Sequence, residues 1–161
     1  MTNCWLLKTE PHVFSFADLL AAPDRTTLWE DVRNFQARNF LRETRRGERV
    51  LVYHSSTQPA GVAGVATVTG EAAPDPTQFN PHSLYFDAKA TPDAPRWDVV
   101  TVTAVAALPR FVTLAELRAR SELQNMKVLG RGNRLSVTPV TEAEFGVIVA
   151  LGGLGGPEEA A

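Results

Sequence analysis

The stretch from Leu28 to Arg49, LWEDVRNFQARNFLRETRRGER, is where the reading of this chain is decided. It holds one tryptophan, two asparagines, two phenylalanines and six arginines: Arg33, Arg38, Arg42, Arg45, Arg46 and Arg49. Ala37, Phe40, Leu41 and Thr44 recur at i, i+3, i+4 and i+7, which predicts a helix from about Asn34 to Arg46, stopped by Gly47. Arg38, Arg42, Arg45 and Arg46 lie largely off that apolar stripe. The whole chain carries a formal charge of −2. A mildly acidic chain that gathers positive charge beside Trp29 and Asn34 raises the question of what rests against that surface.

Upstream, Cys4 to Lys8 reads as a short apolar strand closed by TEP. Ser15 followed three residues later by Asp18 is a capping-box variant opening a helix that Pro23 and Asp24 end. The segment LWEDVRN reads as irregular. Downstream, RVLVYHS and AGVAGVATVTGE read as β segments, and the three glycines in the second suggest bulges or close backbone approach. Residues 72–95, rich in Pro, Asp and Thr, form a long connection with SLYFDA as a possible short strand. RWDVVTVTAVAAL is the longest strand candidate, with four valines and two threonines. Thr113 with Glu116 and Thr141 with Glu144 open two further helices, and GRGNRLSVTPV between them is a glycine-rich loop running into a strand. Strands near 4–8, 49–55, 61–71, 97–107 and 135–138, with helices near 15–22, 35–46, 113–120 and 142–150, lack βαβ alternation. They predict an α+β fold, a curved mixed sheet or open barrel with helices outside it. One domain is expected over 1–152, with a flexible tail over 153–161.

At 161 residues, with 44% hydrophobic and 21% charged residues, the chain suits one sizeable core. No apolar run reaches the length of a membrane span. The single cysteine, Cys4, excludes an internal disulfide and a cysteine-rich zinc site, reads as a buried small hydrophobe, and fits a reducing, cytoplasmic setting. His12, His54 and His82 have no ligand-type partner at i+4, so no metal site is expected. His54 and Ser55, as strand neighbours, face opposite sides and make a poor catalytic pair. GVAGVA and GRGNR match neither dinucleotide nor P-loop spacing, so no cofactor is expected. Binding is the stronger reading. Guanidinium groups hold phosphates, aromatic faces stack bases and asparagine amides read base edges. The bland alternative is a solvated basic helix face with Trp29 in the core.

The strings CWLLKTEPHVFSFADL, LWEDVRNFQARNFLR, GERVLVYHS, AGVAGVATV, PRWDVVTV and GRGNRLSVTPVTEAEF, in this order and spacing, resemble the EVE-domain family over about residues 3–150. The resemblance implies a PUA-like mixed β pseudo-barrel with flanking helices, similar in fold to YTH domains, which bind N6-methyladenosine in an aromatic cage. It implies a non-catalytic, monomeric reader of methylated or hydroxymethylated bases in DNA or RNA, without cofactor or membrane. By similarity to the YTH pocket, Lys8, Thr9, Ser15, Trp29, Val32, Asn34, Tyr53, His54 and Ser55 fall in the base pocket, and Trp97 is a second aromatic face or a strand anchor. Arg131 and Arg134 look like phosphate contacts, with Arg33, Arg38 and Arg42 on the same positive surface. Trp5 is expected in the core, and Asn34 doubles as a helix cap. A small nucleic-acid-processing hydrolase and a protein-interaction module are the alternatives.

Overall fold

The computed structural model describes residues 3–130 and 133–154. Arg131 and the expected tail from residue 155 onward lie outside the described residues. The chain runs β1 (Cys4–Thr9), α1 (Phe16–Ala21), β2 (Thr26–Trp29), α2 (Phe35–Glu43), β3 (Arg49–His54), β4 (Gly61–Pro74), β5 (Asp98–Thr113), α3 (Leu114–Arg118), β6 (Val137–Val140) and α4 (Glu142–Leu151). The six strands form one sheet in the order β2-β5-β4-β3-β1-β6. Only β1 and β3 pair in parallel, Cys4 opposite Arg49 through Thr9 opposite His54; the other described pairings are antiparallel.

Both faces of this sheet are covered, which is why β1 and β3 read as unbroken apolar runs rather than alternating ones. Cys4, Leu6, Leu51 and Tyr53 point to one side, where α3 and α4 contribute Leu117, Phe145 and Ile148. Trp5, Leu7, Val50 and Val52 point to the other, against Phe16 and Leu19 of α1 and Ala37 and Leu41 of α2. The expected core position of Trp5 holds: it is 2% exposed, and its indole N–H donates to the buried Glu48 carboxylate at 2.8 Å.

The long β4–β5 pairing shifts register at four places, three of them bounded by Gly64 or Gly70. Such bulges bend and twist a sheet. The consequence is a sheet curled towards closure, with its two edges, β2 and the approach to β6, flanking one cavity. Gly64 has a second role. A Cβ there would lie 2.2 Å from the Phe16 ring, so its missing side chain lets α1 settle directly on β4.

Three local expectations need correction. Of LWEDVRN, only residues 30–34 are irregular; Leu28 and Trp29 belong to Thr26–Trp29, an edge strand on β5 fastened by a Thr26–Thr103 hydroxyl contact of 2.8 Å. SLYFDA is not a strand; its backbone turns, with Phe86 N–H donating to the Ser83 carbonyl. α2 ends at Glu43 rather than Arg46, because Thr44 leaves helical geometry (φ −67°, ψ 150°) and its hydroxyl bonds back to the Leu41 carbonyl at 2.8 Å. Gly47, at φ +92°, then belongs to the turn into β3. The capping boxes at Ser15, Thr113 and Thr141 are all formed.

Candidate functional site

The cavity between the sheet edges has a volume of about 650 Å³. Its base is where the parallel strands β1 and β3 end side by side, presenting Lys8, Thr9, Ser55 and Ser56. One wall is the turn after β1, with Glu10, Val13 and Phe14. The opposite wall is β2 and its continuation, Thr27 to Val32. Tyr85 of the long connection and Arg134 and Ser136 before β6 complete the lining.

Backbone bonds hold these separate segments in register. Ser55 N–H donates to the Thr9 carbonyl at 2.9 Å, and Lys8 N–H to the Ser136 carbonyl at 2.8 Å. The Thr9 hydroxyl donates to the Phe14 carbonyl at 2.6 Å, folding the turn over the strand end. That turn sets Phe14 edge-on to Trp29, with centroids 6.5 Å apart and planes at 84°, an arrangement that favours both rings. Trp29 lines the cavity although it is only 6% exposed.

The lining carries both charge signs. Burial lowers the pKa of Lys8, whose ammonium lies 5.9 Å from the Tyr53 ring centroid. Partial enclosure, and then the nearby Asp75 charge, hold the Asp31 carboxyl above its ordinary range; Arg33 opposes this. Glu30 is raised by the same enclosure and by Asp31 and Asp75. The Asp31 charge is in turn the main reason the Tyr85 phenol is raised. Asp31 sits at φ +74°, a left-handed conformation uncommon for a side-chain-bearing residue. Among the described residues no group of His, Cys, Asp and Glu is arranged to hold a metal ion.

Of the residues assigned to the pocket by resemblance, Lys8, Thr9, Trp29, Val32 and Ser55 line the cavity. The other five are elsewhere. Ser15 caps α1, accepting from Asp18 N–H at 3.0 Å. Asn34 caps α2, accepting from Ala37 N–H at 3.0 Å. Tyr53 belongs to the core beneath α3 and α4. His54 accepts from Phe16 N–H at 3.0 Å, and burial lowers its pKa, so it serves as a neutral anchor for α1. Trp97 is buried, stacked on Phe35 at 4.7 Å, with its indole N–H on Asp87 at 2.8 Å; its surroundings are those of a strand anchor.

Three arginines of the opening stretch, Arg33, Arg38 and Arg42, are engaged by the connection between β4 and β5 and by the first residue of β5. Arg33 uses all five of its N–H groups, on the Tyr85 carbonyl twice, the Val32 carbonyl, Asp75 and Thr77. It has no donor left for a phosphate. Arg38 donates to the Arg96 carbonyl and lies over the Phe35 ring. Arg42 pairs with Asp98. Arg134 alone of the described arginines assigned to phosphate lines the cavity; it is exposed and makes no ion pair among the described residues.

Sequence reasoning did not single out Glu10, Val13, Phe14, Thr27, Leu28, Glu30, Asp31, Ser56, Tyr85 and Ser136. All but Tyr85 stand within two residues of an assigned one, so the walls were legible as segments although these side chains were not. Tyr85 gives no local signal, since it reaches the cavity from a turn in the long connection.

The family model described as EVE domain matches residues 3–151. Human thymocyte nuclear protein 1 is 38% identical, over 94% of this chain and 74% of its own length. A crystal structure of the human THYN1 protein in complex with DNA containing 5-methylcytosine superposes with a TM-score of 0.89 at 39% identity, over 95% of this chain and 99% of that one. The YTH domain of the Zygosaccharomyces rouxii MRB1 protein, in complex with N6-methyladenosine RNA, shares the fold at a TM-score of 0.52 and 12% identity, over 94% and 86% of the two chains. With its curled mixed sheet, outer helices and a match over nearly its whole length, the chain belongs to the EVE-domain family and has the PUA-like α+β pseudo-barrel fold.

Proposed function

We propose that this protein is a non-catalytic reader of a modified base, with the cavity between β2 and β6 receiving one base turned out of its strand. The observation that carries this is the chemistry of the lining: an enclosed aromatic pair, Trp29 and Phe14, beside carboxylates and a lysine, with Arg134 exposed at the rim. The rings offer apolar contact to a base and its methyl group. Asp31 and Glu30 act as acceptors for an exocyclic amino group, such as that of cytosine or adenine. Carboxylates so placed repel phosphate, so the backbone stays outside and the base enters. The DNA complex of the human relative, which holds 5-methylcytosine, supports the same base class for this chain. Lys8 and Arg134 supply the positive charge nearest the site, and the protein acts in a reducing, cytoplasmic setting.

Titration of matched modified and plain oligonucleotides, in DNA and RNA, tests this reading. A buried methyl contributes about 0.8 kcal/mol, so roughly fourfold preference is expected from that group alone. Trp29→Phe retains the fold and weakens binding, and Trp29→Ala abolishes the preference. Equal affinity of the wild type for modified and plain strands, in both sugars, overturns the assignment.

A further inference from the structure

Four of the five most exposed large hydrophobics among the described residues gather around the cavity. Val13 and Leu28 line it, and Leu84 and Phe86 flank Tyr85, which also lines it. Isolated exposed leucines are ordinary on soluble proteins. Leu84 differs in its setting: its residue is 95% exposed, next to a cavity wall, on a loop that is firmly held.

The loop is closed at its base by Asp75 N–H donating to the Trp97 carbonyl at 2.9 Å. Gln78, fully buried there, donates to the Asp75 and Trp97 carbonyls and accepts from Arg96 and Trp97 N–H, which satisfies its whole amide. Towards the tip, Arg33 grips the Tyr85 carbonyl with two donors, and the Ser83 hydroxyl accepts from Tyr85 N–H at 3.1 Å. The backbone beside Leu84 is fixed while its side chain stands in water.

We infer that Leu84 is a wedge that enters the base stack of a duplex and fills the gap left when the target nucleotide turns into the cavity. This rests on the base-reader assignment above. A ring as enclosed as Trp29 cannot be reached by a base still stacked in a duplex, so the base has to leave, at the cost of its stacking. An aliphatic side chain inserted between base steps recovers part of that loss. Leucine suits the dry interior of the stack because it carries no polar atom needing a partner. The loop anchors keep the insertion from costing order in the backbone.

The test uses L84A and L84Q, in which an exposed side chain changes and thermal stability is expected to match the wild type. Each is titrated against a duplex carrying one 5-methylcytosine and against the same strand alone. The duplex affinity is expected to fall about tenfold, equivalent to ~1.4 kcal/mol, while single-strand affinity stays within about twofold. A 2-aminopurine placed beside the target base is expected to brighten with the wild type and much less with either variant. Unchanged duplex affinity overturns the wedge and returns the apolar rim to a protein-docking role. An equal loss on duplex and single strand overturns it too, leaving Leu84 as a simple contact. A wild type that binds modified and plain strands alike overturns the base-reader reading itself, and the wedge falls with it.

Discussion

The Arg33 guanidinium and the Asp75 carboxylate are paired at 3.0 Å, and the Asp75 side chain is fully withdrawn from solvent. The pair joins the end of the Trp29 wall to the base of the loop that brings Tyr85 to the cavity. A charge that sequence alone assigns to a phosphate therefore builds the site from behind.

Removing Arg33 leaves a buried carboxylate without its counter-charge, which typically costs about 3–5 kcal/mol. Arg33→Leu is expected to lose stability on that order in urea denaturation. Arg33→Lys is expected to recover only part, since an ammonium cannot reproduce five directed donors. A loss below about 1 kcal/mol for Arg33→Leu shows that the loop is held by other means.

With Arg33, Arg38 and Arg42 engaged internally, the dependence of nucleic-acid binding on salt is expected to be shallow. Arg134→Glu is expected to weaken every oligonucleotide alike and to lower the salt slope by about one. Arg38→Gln is expected to leave the slope unchanged. Slopes from titrations at several salt concentrations separate the two residues, and a larger change for Arg38→Gln refutes the assignment.

Asp31 is the acceptor expected to distinguish 5-methylcytosine from thymine, which share the methyl group and differ in presenting an amino group or a carbonyl oxygen. The wild type is expected to prefer 5-methylcytosine by roughly tenfold or more, within the 1–3 kcal/mol of a well-placed base contact. Asp31→Asn, tolerated at φ +74°, offers both a donor and an acceptor and is expected to bind the two bases nearly equally. Preserved discrimination in the variant places the selection elsewhere.

His54 is held neutral by burial and accepts the Phe16 N–H, so its folded pKa lies below the unfolded value near 6.5. The unfolded chain then binds the extra proton first. This contribution to stability is complete above about pH 6.5 and is lost as pH falls from there through the depressed folded value. Urea midpoints at a mildly alkaline and a mildly acidic pH are expected to drop on acidification in the wild type and to drop less in His54→Gln. Identical drops in the two proteins rule out His54 as the source.

Gly64→Ala sets a methyl group against the Phe16 ring and is expected to cost about 1–3 kcal/mol by overpacking. Because α1 follows the turn that carries Phe14, base binding is expected to weaken beyond what the lost folded fraction explains. Chemical denaturation and titration of the same variant measure both effects. A fully stable Gly64→Ala protein shows that α1 shifts freely.

Features that depend on near neighbours are legible along the chain. Ser15, Thr113 and Thr141 each meet an acidic side chain three residues on, so those helix starts are legible within a single turn. Asn34 is legible as a cap for the same reason. The apolar runs of β1 and β3 announce strands buried on both faces, and the quoted strings carry the family. Other features depend on residues far apart in the chain and emerge only on folding. The partners of Arg33 and Arg42, Asp75 and Asp98, stand 42 and 56 residues away, and nothing local distinguishes an arginine that will meet a carboxylate from one that stays free. Thr26–Trp29 becomes a strand only because β5 offers an open edge. The cavity exists only because bulges in β4 and β5 curl the sheet until its two edges face each other. Local patterns record short-range hydrogen bonds and periodic burial, whereas charge pairing, edge pairing and curvature are settled between segments that meet only when the chain has folded.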